Sequence, residues 1–260
     1  MPDAHIRYGV DNDGIALITI DRPEKRNAMT YAVLRDFHDT VAQAGDDEAA
    51  RVVILTGAGG AFCAGTDLSD LSDTPTDERA SAAGPARGAW PLVACPKPVI
   101  AAVDGAAVGM GAEFVTQCDV RIFSTRARVA WNFVHRGLVP DTGAGSWLLP
   151  RQIGLSAALR LIYSGEFLTA DEAVALGFAV AAVEPDELLD AARAEARRYL
   201  AGSPFAIRHV KALVYAGLER SMTDHLRSNA EVMQACFASE DHREGVASFL
   251  ERRPPNFVGR

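Results

Sequence analysis

Cysteine is scarce in this sequence and is never paired in a motif. The 260 residues contain four cysteines, Cys63, Cys95, Cys118 and Cys236, and none of them belongs to a C-x-x-C pair. Because each lies in an apolar stretch, the pattern favours buried, reduced thiols over a disulfide framework. The six histidines are scattered and form no H-E-x-x-H segment, so we predict no metal site.

Long hydrophobic runs and clusters of positive charge are also missing. The longest apolar window, residues 98–112, is interrupted by Asp104 and is shorter than the roughly 20 residues of a membrane-spanning helix. The N-terminal segment MPDAHIRYG lacks the basic start and apolar core of a signal peptide. The net charge is −8, without any Lys/Arg-rich run, which argues against nucleic acid or an anionic membrane as a partner. We therefore expect a cytoplasmic protein.

Two glycine-rich segments lack the residues of known nucleotide-binding or catalytic loops. In GAGGAFCAGTDL (57–68), Thr66 and Asp67 stand where a phosphate-binding loop needs lysine and serine or threonine, and Phe62 replaces the third glycine of a dinucleotide-binding fingerprint. GAGSW (143–147) lacks the second glycine of a nucleophile elbow. What remains at 57–68 is a glycine turn whose amides near Thr66 can point at a ligand.

Apolar runs alternate with helical patterns in the first part of the chain. RVVILTG (51–57), KPVIAAVDG (97–105) and DVRIFST (119–125) are typical of strands buried on both faces. Their alternation with helices predicts a mostly parallel sheet with right-handed crossovers. After about residue 185 the pattern is helical only. We therefore predict an α/β fold, with a core over residues 1–185 and a helical region over residues 186–260.

Two carboxylates lie among residues that offer little other chemistry. In AVDGAAVGMGAEFV (102–115), Glu113 falls in the first turn of a predicted helix, just after glycines whose free amides can face an anion. Asp141 lies in GLVPDTGAG (137–145). Backbone amides from two loops and two carboxylates can together polarise a carbonyl and move protons beside it. The alternatives are that Glu113 only complements the helix dipole and that Pro-Asp-Thr-Gly is only a turn.

Longer motifs resemble those of the enoyl-CoA hydratase/isomerase (crotonase) superfamily over nearly the whole chain. They are, in order, DRPEKRNAMT, AFCAGTDL, PKPVIAAVDGAAVGMGAEFVTQCDVRI, GLVPDTGAGSWLLPR, SGEFLTADEAVALGFA and SEDHREGVASFLERRPPNF. The resemblance implies a crotonase-like ββα spiral core and C-terminal helices that mediate a homotrimer or hexamer. It implies an enzyme of fatty acid metabolism that acts on acyl-CoA thioesters through an enolate-like anion. Coenzyme A is then part of the substrate, and no separate cofactor is implied.

The resemblance assigns catalytic positions but leaves the reaction open. It places the oxyanion hole at the backbone amides of Thr66 and Met110, and it matches Glu113 to the first catalytic glutamate of the hydratases. Phe133 stands where the hydratases have a second glutamate, and Asp141 matches an aspartate that some isomerases of the superfamily use as a base. The sequence leaves the function open between a hydratase and an isomerase. The alternatives are a thioester hydrolase or dehalogenase and a non-catalytic CoA-binding protein.

The resemblance also implies which residues contact the substrate. Those expected to bind substrate or coenzyme A are Lys25, Arg26, Ala28, Ala64, Asp67, Leu68, Gly109 and Arg252. Trp90, Phe133 and Trp147 are candidates for lining the acyl pocket, and the polar segment 69–88 is expected to shape its far end.

Overall fold

The computed structural model describes residues 5–67 and 90–260. Leu68 and the segment 69–88, for which we predicted substrate contacts, lie outside the described residues.

Nine strands in the described residues form two sheets. They are β1 (Ile6–Val10), β2 (Ile15–Ile20), β3 (Val52–Gly57), β4 (Val99–Val103), β5 (Ala106–Val108), β6 (Val120–Ser124), β7 (Arg128–Ala130), β8 (Leu168–Thr169) and β9 (Ala181–Val183). The larger sheet has the order β1-β2-β3-β4-β6-β9, and the smaller one has the order β5-β7-β8. In the larger sheet only β1 and β2 pair antiparallel, while the other neighbours run parallel. The predicted mixed α/β fold with a mostly parallel sheet is confirmed.

Eleven α-helices and two short 3-10 helices complete the described part of the chain. The α-helices are α1 (Tyr31–Asp46), α2 (Pro91–Ala94), α3 (Met110–Gln117), α4 (Ala144–Trp147), α5 (Leu149–Ile153), α6 (Leu155–Ser164), α7 (Ala170–Ala175), α8 (Leu188–Leu200), α9 (Pro204–Gly217), α10 (Met222–Ala238) and α11 (Glu240–Glu251). The 3-10 helices are Pro23–Lys25 and Asn132–Arg136. None of the described helices has the length and apolar character needed to span a membrane.

The larger sheet is covered on both faces. On one face, α1 contributes Leu34, Phe37 and Val41 to the main core, which also contains Phe114 of α3. On the other face, α8 packs its apolar stripe, including Leu188, against the sheet. Strands buried on both sides need side chains that are apolar in both directions, which explains the continuous runs VVILTG and VIAAV.

The last three helices differ from the rest in how little they bury. No residue of α9 or α10 is buried, and α11 buries only Asp241 and Ser248. Helix α9 is anchored through Lys211, whose Nζ lies 2.8 Å from Asp119 Oδ2, and through Tyr215, whose hydroxyl donates to Asp119 Oδ1 at 2.9 Å. The division of the chain into two regions at residue 185 remains a prediction.

Candidate active site

The glycine turn (residues 57–67) lies directly against the N-terminal end of helix α3. Cys63 N donates to the Ala106 carbonyl at 3.1 Å, and Val108 N donates to the Cys63 carbonyl at 2.9 Å. A Cβ atom placed on Gly111 would lie 2.2 Å from the Cys63 carbonyl oxygen. One placed on Gly65, which has a φ of +95°, would lie 2.8 Å from the Val108 carbonyl oxygen. The glycines are therefore required by close backbone contact as well as by conformation.

This contact leaves two backbone amides without acceptors among the described residues. Met29 N donates to the Gly65 carbonyl and Asp67 N donates to the Met29 carbonyl, both at 2.8 Å. The N–H of Thr66, between them, therefore points away from Met29. Met110 is the first residue of α3, and its N-cap, Gly109, offers no side chain.

The two amides are close in space, because the Cβ position of Gly65 lies 3.7 Å from Met110 N. Within residues 5–67 and 90–260, neither Thr66 N nor Met110 N donates to a protein acceptor. A ligand oxygen bound here would also lie near the positive end of the α3 dipole. The arrangement can therefore stabilise a developing oxyanion.

Glu113 is fully buried in the first turn of α3. Its Oε1 accepts from Gly145 N at 2.8 Å, and its Oε2 accepts from Thr142 Oγ1 at 2.7 Å. Burial raises the pKa of Glu113 to about 7, and the negative charge of Asp141 acts in the same direction. The hydrogen bonds from Thr142 and Gly145 oppose the rise in pKa. A carboxyl group with this pKa can both give and accept a proton at neutral pH.

Asp141 follows Pro140 in the turn before α4. Its surface reaches solvent, yet the protein atoms around its carboxylate desolvate it and raise its pKa to about 6. The backbone amides of Thr142 and of Asp141 itself act against this rise. The charge of Asp141 raises the pKa of Glu113 and of the Cys63 thiol, so Asp141 is close enough to both groups to interact with them.

Phe133 borders the same site with an apolar ring. It is buried in the 3-10 helix Asn132–Arg136, and its Cζ lies 3.8 Å from the Cβ position of Gly109. The ring therefore lies beside the first residues of α3. At this position the site offers hydrocarbon where a second glutamate would offer a hydrogen-bond partner for water.

The two tryptophans predicted to line the acyl pocket have different surroundings. Trp90 Nε1 donates to the Thr142 carbonyl at 2.9 Å, so Trp90 contacts the turn that carries Asp141. Trp147 instead packs under the Arg151 guanidinium, whose carbon lies 3.6 Å from the ring centroid. Within the described residues, no hydrogen bond or ring contact joins Trp147 to either carboxylate.

Three site residues were missed by the sequence reasoning: Thr142, Gly145 and Trp131. A Cβ atom on Gly145 would lie 2.4 Å from Glu113 Oε1 and 2.7 Å from Trp131 Cδ1. Trp131 is fully buried, and its Nε1 donates to Thr116 Oγ1 at 3.2 Å. The available signal is the segment DTGAG, in which Gly145 allows a close approach of its backbone to another element.

The turn that carries Lys25 and Arg26 is joined to the glycine turn. Ala64 N donates to the Arg26 carbonyl at 3.0 Å, and Asn27 Nδ2 donates to the Ala58 and Ala61 carbonyls at 2.8 and 2.6 Å. The Lys25 and Arg26 residues are exposed, and neither side chain forms an ion pair in the described part of the chain. Both cations are therefore accessible to an anionic group near the site.

Asp67, predicted to contact substrate, forms an ion pair with Arg22. Its Oδ2 lies 2.7 Å from Arg22 Nη1, which also donates to the Ala28 carbonyl at 3.0 Å. Asp67 and Ala28 therefore share a cation that joins the two turns. Arg252 lies at the C-terminal end of α11 with a φ of +55°, and no contact between it and the carboxylates is found among the described residues.

No group of three or more histidine, cysteine, aspartate or glutamate residues suited to a metal ion occurs in the part of the chain that the structure describes. The chemistry that this site offers is that of two amide donors and two carboxyl groups.

Comparison with known proteins identifies one family over nearly the whole chain. The family model for enoyl-CoA hydratase/isomerase matches residues 11–260. The probable enoyl-CoA hydratase of Rhodobacter capsulatus is 37% identical over 261 residues, covering 98% of each chain. The 1,2-epoxyphenylacetyl-CoA isomerase of Escherichia coli is 33% identical over 259 residues, covering 95% of this chain and 96% of the isomerase.

Solved structures agree with the sequence relatives. The enoyl-CoA hydratase of Bacillus anthracis superposes with a TM-score of 0.92 at 29% identity, covering 98% of this chain and 100% of that one. The putative enoyl-CoA hydratase of Streptomyces coelicolor superposes with a TM-score of 0.90 at 33% identity, covering 100% of this chain and 96% of that one.

Proposed function

The chain belongs to the enoyl-CoA hydratase/isomerase family, and from that premise we propose that it is an acyl-CoA isomerase that moves a double bond by proton transfer. It is an enzyme that processes acyl-CoA thioesters by hydratase/isomerase-type chemistry. The observation that carries the isomerase proposal is the pair Glu113 and Asp141, coupled to each other in a site where Phe133 supplies an apolar edge.

The thioester carbonyl oxygen binds the amides of Thr66 and Met110 in this proposal. Both amides lack protein acceptors within residues 5–67 and 90–260, so they are free to donate to an oxygen that gains charge. A preorganised donor of this kind typically contributes about a hundred- to a thousandfold in rate. Because the donors are backbone groups, the identity of the Thr66 and Met110 side chains matters only through shape.

Asp141 acts as the base and Glu113 as the acid. The pKa of Asp141 is raised to about 6 and that of Glu113 to about 7, so Asp141 loses its proton at a lower pH than Glu113 does. Asp141 removes a proton from the acyl chain, and the electron pair moves onto the thioester oxygen as an enolate. Glu113 then delivers its proton to another carbon as the enolate collapses. One proton is taken and one is given, so the reaction needs no other reactant and no further cofactor.

Hydration of a double bond is the second candidate. Relatives such as the Rhodobacter protein carry the name hydratase at 37% identity, and a water held between Glu113 and Asp141 could add to the substrate. The apolar edge of Phe133 weighs against this reaction, because it offers no hydrogen bond to orient such a water.

Coenzyme A is held, in this proposal, by the two turns that meet beside the oxyanion hole. Lys25 and Arg26 are exposed and free of ion pairs in the described part of the chain, so they are placed to meet the phosphates. The covalent link between coenzyme A and the acyl group makes it part of the substrate. Arg252 matches a cationic position of the family that can reach the 3′-phosphate from a neighbouring subunit, and we propose the same role for it.

The last three helices support a homotrimer or hexamer. They expose the apolar side chains Val210, Val214, Met222, Leu226, Met233, Phe237, Val246, Phe249 and Leu250. Patches of this extent on helices that bury almost nothing are typical of subunit interfaces. A cytoplasmic location and a role in fatty acid metabolism remain predictions from the sequence.

The experiment is NMR in deuterated water with a small panel of 2-enoyl-, 3-enoyl- and dienoyl-CoA esters. Proton exchange and products are followed for the wild type, Asp141→Asn and Glu113→Gln. We expect double-bond migration, reduced about 10²- to 10⁴-fold by Asp141→Asn because a positioned base is lost.

Other outcomes of this panel contradict the isomerase in specific ways. A hydroxyacyl product that disappears in Glu113→Gln would establish the hydratase instead. Covalent labelling of Asp141 by substrate would identify a hydrolase or dehalogenase. Absence of exchange on every ester, with thermal stabilisation by CoA esters, would indicate a binding protein.

A further inference from the structure

Gln117 is a fully buried amide at the end of α3 with one side-chain partner. Its Nε2 donates to Thr142 Oγ1 at 3.3 Å, and its Oε1 has no hydrogen-bond partner within the described residues. A buried polar group with incomplete hydrogen bonding is less favourable than a hydrocarbon of similar size. The neighbouring positions Phe114 and Val115 show that α3 accommodates apolar side chains. Packing alone therefore does not explain why this buried position holds an amide.

The neighbours of the Thr142 hydroxyl fix the direction of its proton. Two donors, Gln117 Nε2 and Ala144 N, each lie 3.3 Å from Thr142 Oγ1. A hydroxyl has two acceptor lone pairs and one proton. Because both lone pairs face donors, the proton is directed to the third neighbour, Glu113 Oε2, at 2.7 Å. Glu113 then receives one donor on each oxygen, from Thr142 and from Gly145.

We propose that Gln117 is a positioning residue that acts through Thr142: by donating to Thr142 Oγ1, it directs the threonine proton to Glu113 and stabilises the ionised carboxylate. For its effect on turnover this inference rests on the proposed function, in which Glu113 must release its proton and later regain one. Without Gln117, a lone pair of Thr142 is free to accept from the protonated form of Glu113 instead. Glu113 would then be held as the acid.

The other charges near Glu113 do not duplicate this role. Asp141 couples to Glu113 and destabilises its ionised form. The Cys63 thiol, on the glycine turn, stays neutral because burial raises its pKa to about 12. At the far end of α3, Asp119 pairs with Lys211, and Arg121 donates to backbone carbonyls. The donors that oppose the effects of burial and of Asp141 are Thr142 and the backbone amides of its turn.

The backbone of Thr142 is held independently of its side chain. Trp90 Nε1 donates to the Thr142 carbonyl at 2.9 Å, and Gly145 N donates to Glu113 Oε1. A change at Gln117 therefore alters the direction of the Thr142 proton without removing the contacts that hold the turn. This separation makes a direct test feasible.

The test is a pH titration of Glu113 by NMR on the full chain with ¹³C-labelled glutamate carboxyls. The Glu113 signal is assigned by its loss in Glu113→Gln, and the titration needs no substrate. Because a hydrogen bond to the ionised form lowers a pKa, we expect Thr142→Val to raise the midpoint by about one pH unit and Gln117→Met by about half a unit. Thr142→Ser keeps the hydroxyl and should stay within about 0.2 unit of the wild type.

Gln152 provides the matched control. Its Nε2 donates to the Thr116 carbonyl at 3.0 Å, and its Oε1 also lacks a partner among the described residues. Within those residues it forms no hydrogen bond to Thr142 or Glu113. Gln152→Met should leave the midpoint unchanged. An unchanged midpoint in Gln117→Met, or an equal shift in Gln152→Met, would overturn the inference.

Thr142→Val and Thr142→Ser test the hydrogen bond from Thr142 to Glu113 without a change in α3. The inference therefore stays testable even if Gln117→Met does not fold. An unchanged midpoint in Thr142→Val would overturn the inference as well. The titration tests the role of Gln117 without substrate, and the CoA-ester panel tests the proposed reaction. A negative result in one experiment therefore does not decide the other.

Discussion

The glycine turn (57–67) and the Asp141 turn (137–145) both pack on helix α3, but they contribute to the site in different ways. The glycine turn meets Gly111 backbone to backbone and presents the Thr66 amide. The Asp141 turn presents side chains, and it contacts Glu113 through Thr142 and Gly145. The first turn should therefore tolerate a change of side-chain chemistry but not added volume, and the second should depend on chemistry.

Gly111→Ala should disrupt the backbone part of the site, and we expect it to have a larger effect than any other substitution in that part. A Cβ atom there would lie 2.2 Å from the Cys63 carbonyl oxygen and 2.9 Å from Cys63 Cβ, so either the turn or the helix must move. Overpacking of this kind typically costs about 1–3 kcal/mol of stability. Loss of the paired amides should lower kcat/KM about a hundredfold or more.

The control for Gly111→Ala is Gly9→Ala on strand β1. Apart from Gly9 itself and its two chain neighbours, no heavy atom of the described residues lies within 4 Å of a Cβ placed there, so this variant should keep both its thermal midpoint and its activity. Equal behaviour of the two variants in thermal unfolding and CoA-ester assays would show that the close contact of the glycine turn is not required.

The fold and the centre of the site could be predicted because their signals are local. Continuous apolar runs indicate strands buried on both faces, and glycines before Glu113 indicate a close approach at a helix start. The residues alone suggested that Glu113 and Asp141 act together, and the resemblance matched each of them to a catalytic position. In the structure the charge of Asp141 raises the pKa of Glu113, so the two groups are close enough to interact.

The rest depends on contacts between distant parts of the chain. From the sequence Thr142 is a turn residue, and only the fold shows that Gln117 of α3, 25 positions away, donates to its side chain. The sequence marks Asp67 as a candidate substrate contact but does not show that Arg22, 45 positions away, pairs with it. The sequence marks Trp147 as a candidate for lining the acyl pocket but does not show that the Arg151 guanidinium, four residues later, packs over its ring. Polar and aromatic side chains do not reveal their partners through sequence periodicity.

The pH dependence of activity separates the two parts of the site. The groups that titrate are the side chains of Asp141 and Glu113, whereas the backbone amides do not titrate. Asp141 must be ionised, so activity should fall about tenfold per pH unit below its pKa of about 6. Glu113 must carry its proton, so activity should fall above its pKa of about 7. The measurement is kcat/KM from about pH 4.5 to about pH 9, with the ester of the panel that gives the highest activity.

The two limbs of this profile should respond to different substitutions. Residual activity of Asp141→Asn should lack the acidic limb, and that of Glu113→Gln should lack the basic limb. Gly9→Ala should keep both limbs. A basic limb that persists in Glu113→Gln would show that Glu113 does not supply the proton.

Thr66→Ala and Met110→Leu should have the smallest effects, and they test the backbone part from the opposite direction. Each substitution replaces a side chain while keeping the amide that faces away from protein acceptors, and Met110→Leu conserves most of the buried volume. We expect kcat/KM to change less than about threefold, since the donor of an oxyanion hole is unaltered when it belongs to the backbone. Thermal unfolding of both variants identifies any loss that comes from packing.

A hundredfold loss of kcat/KM in Thr66→Ala with an unchanged thermal midpoint would mean that the threonine hydroxyl itself binds the substrate. The glycine turn would then contribute side-chain chemistry as the Asp141 turn does, and the contrast between the two turns would not hold.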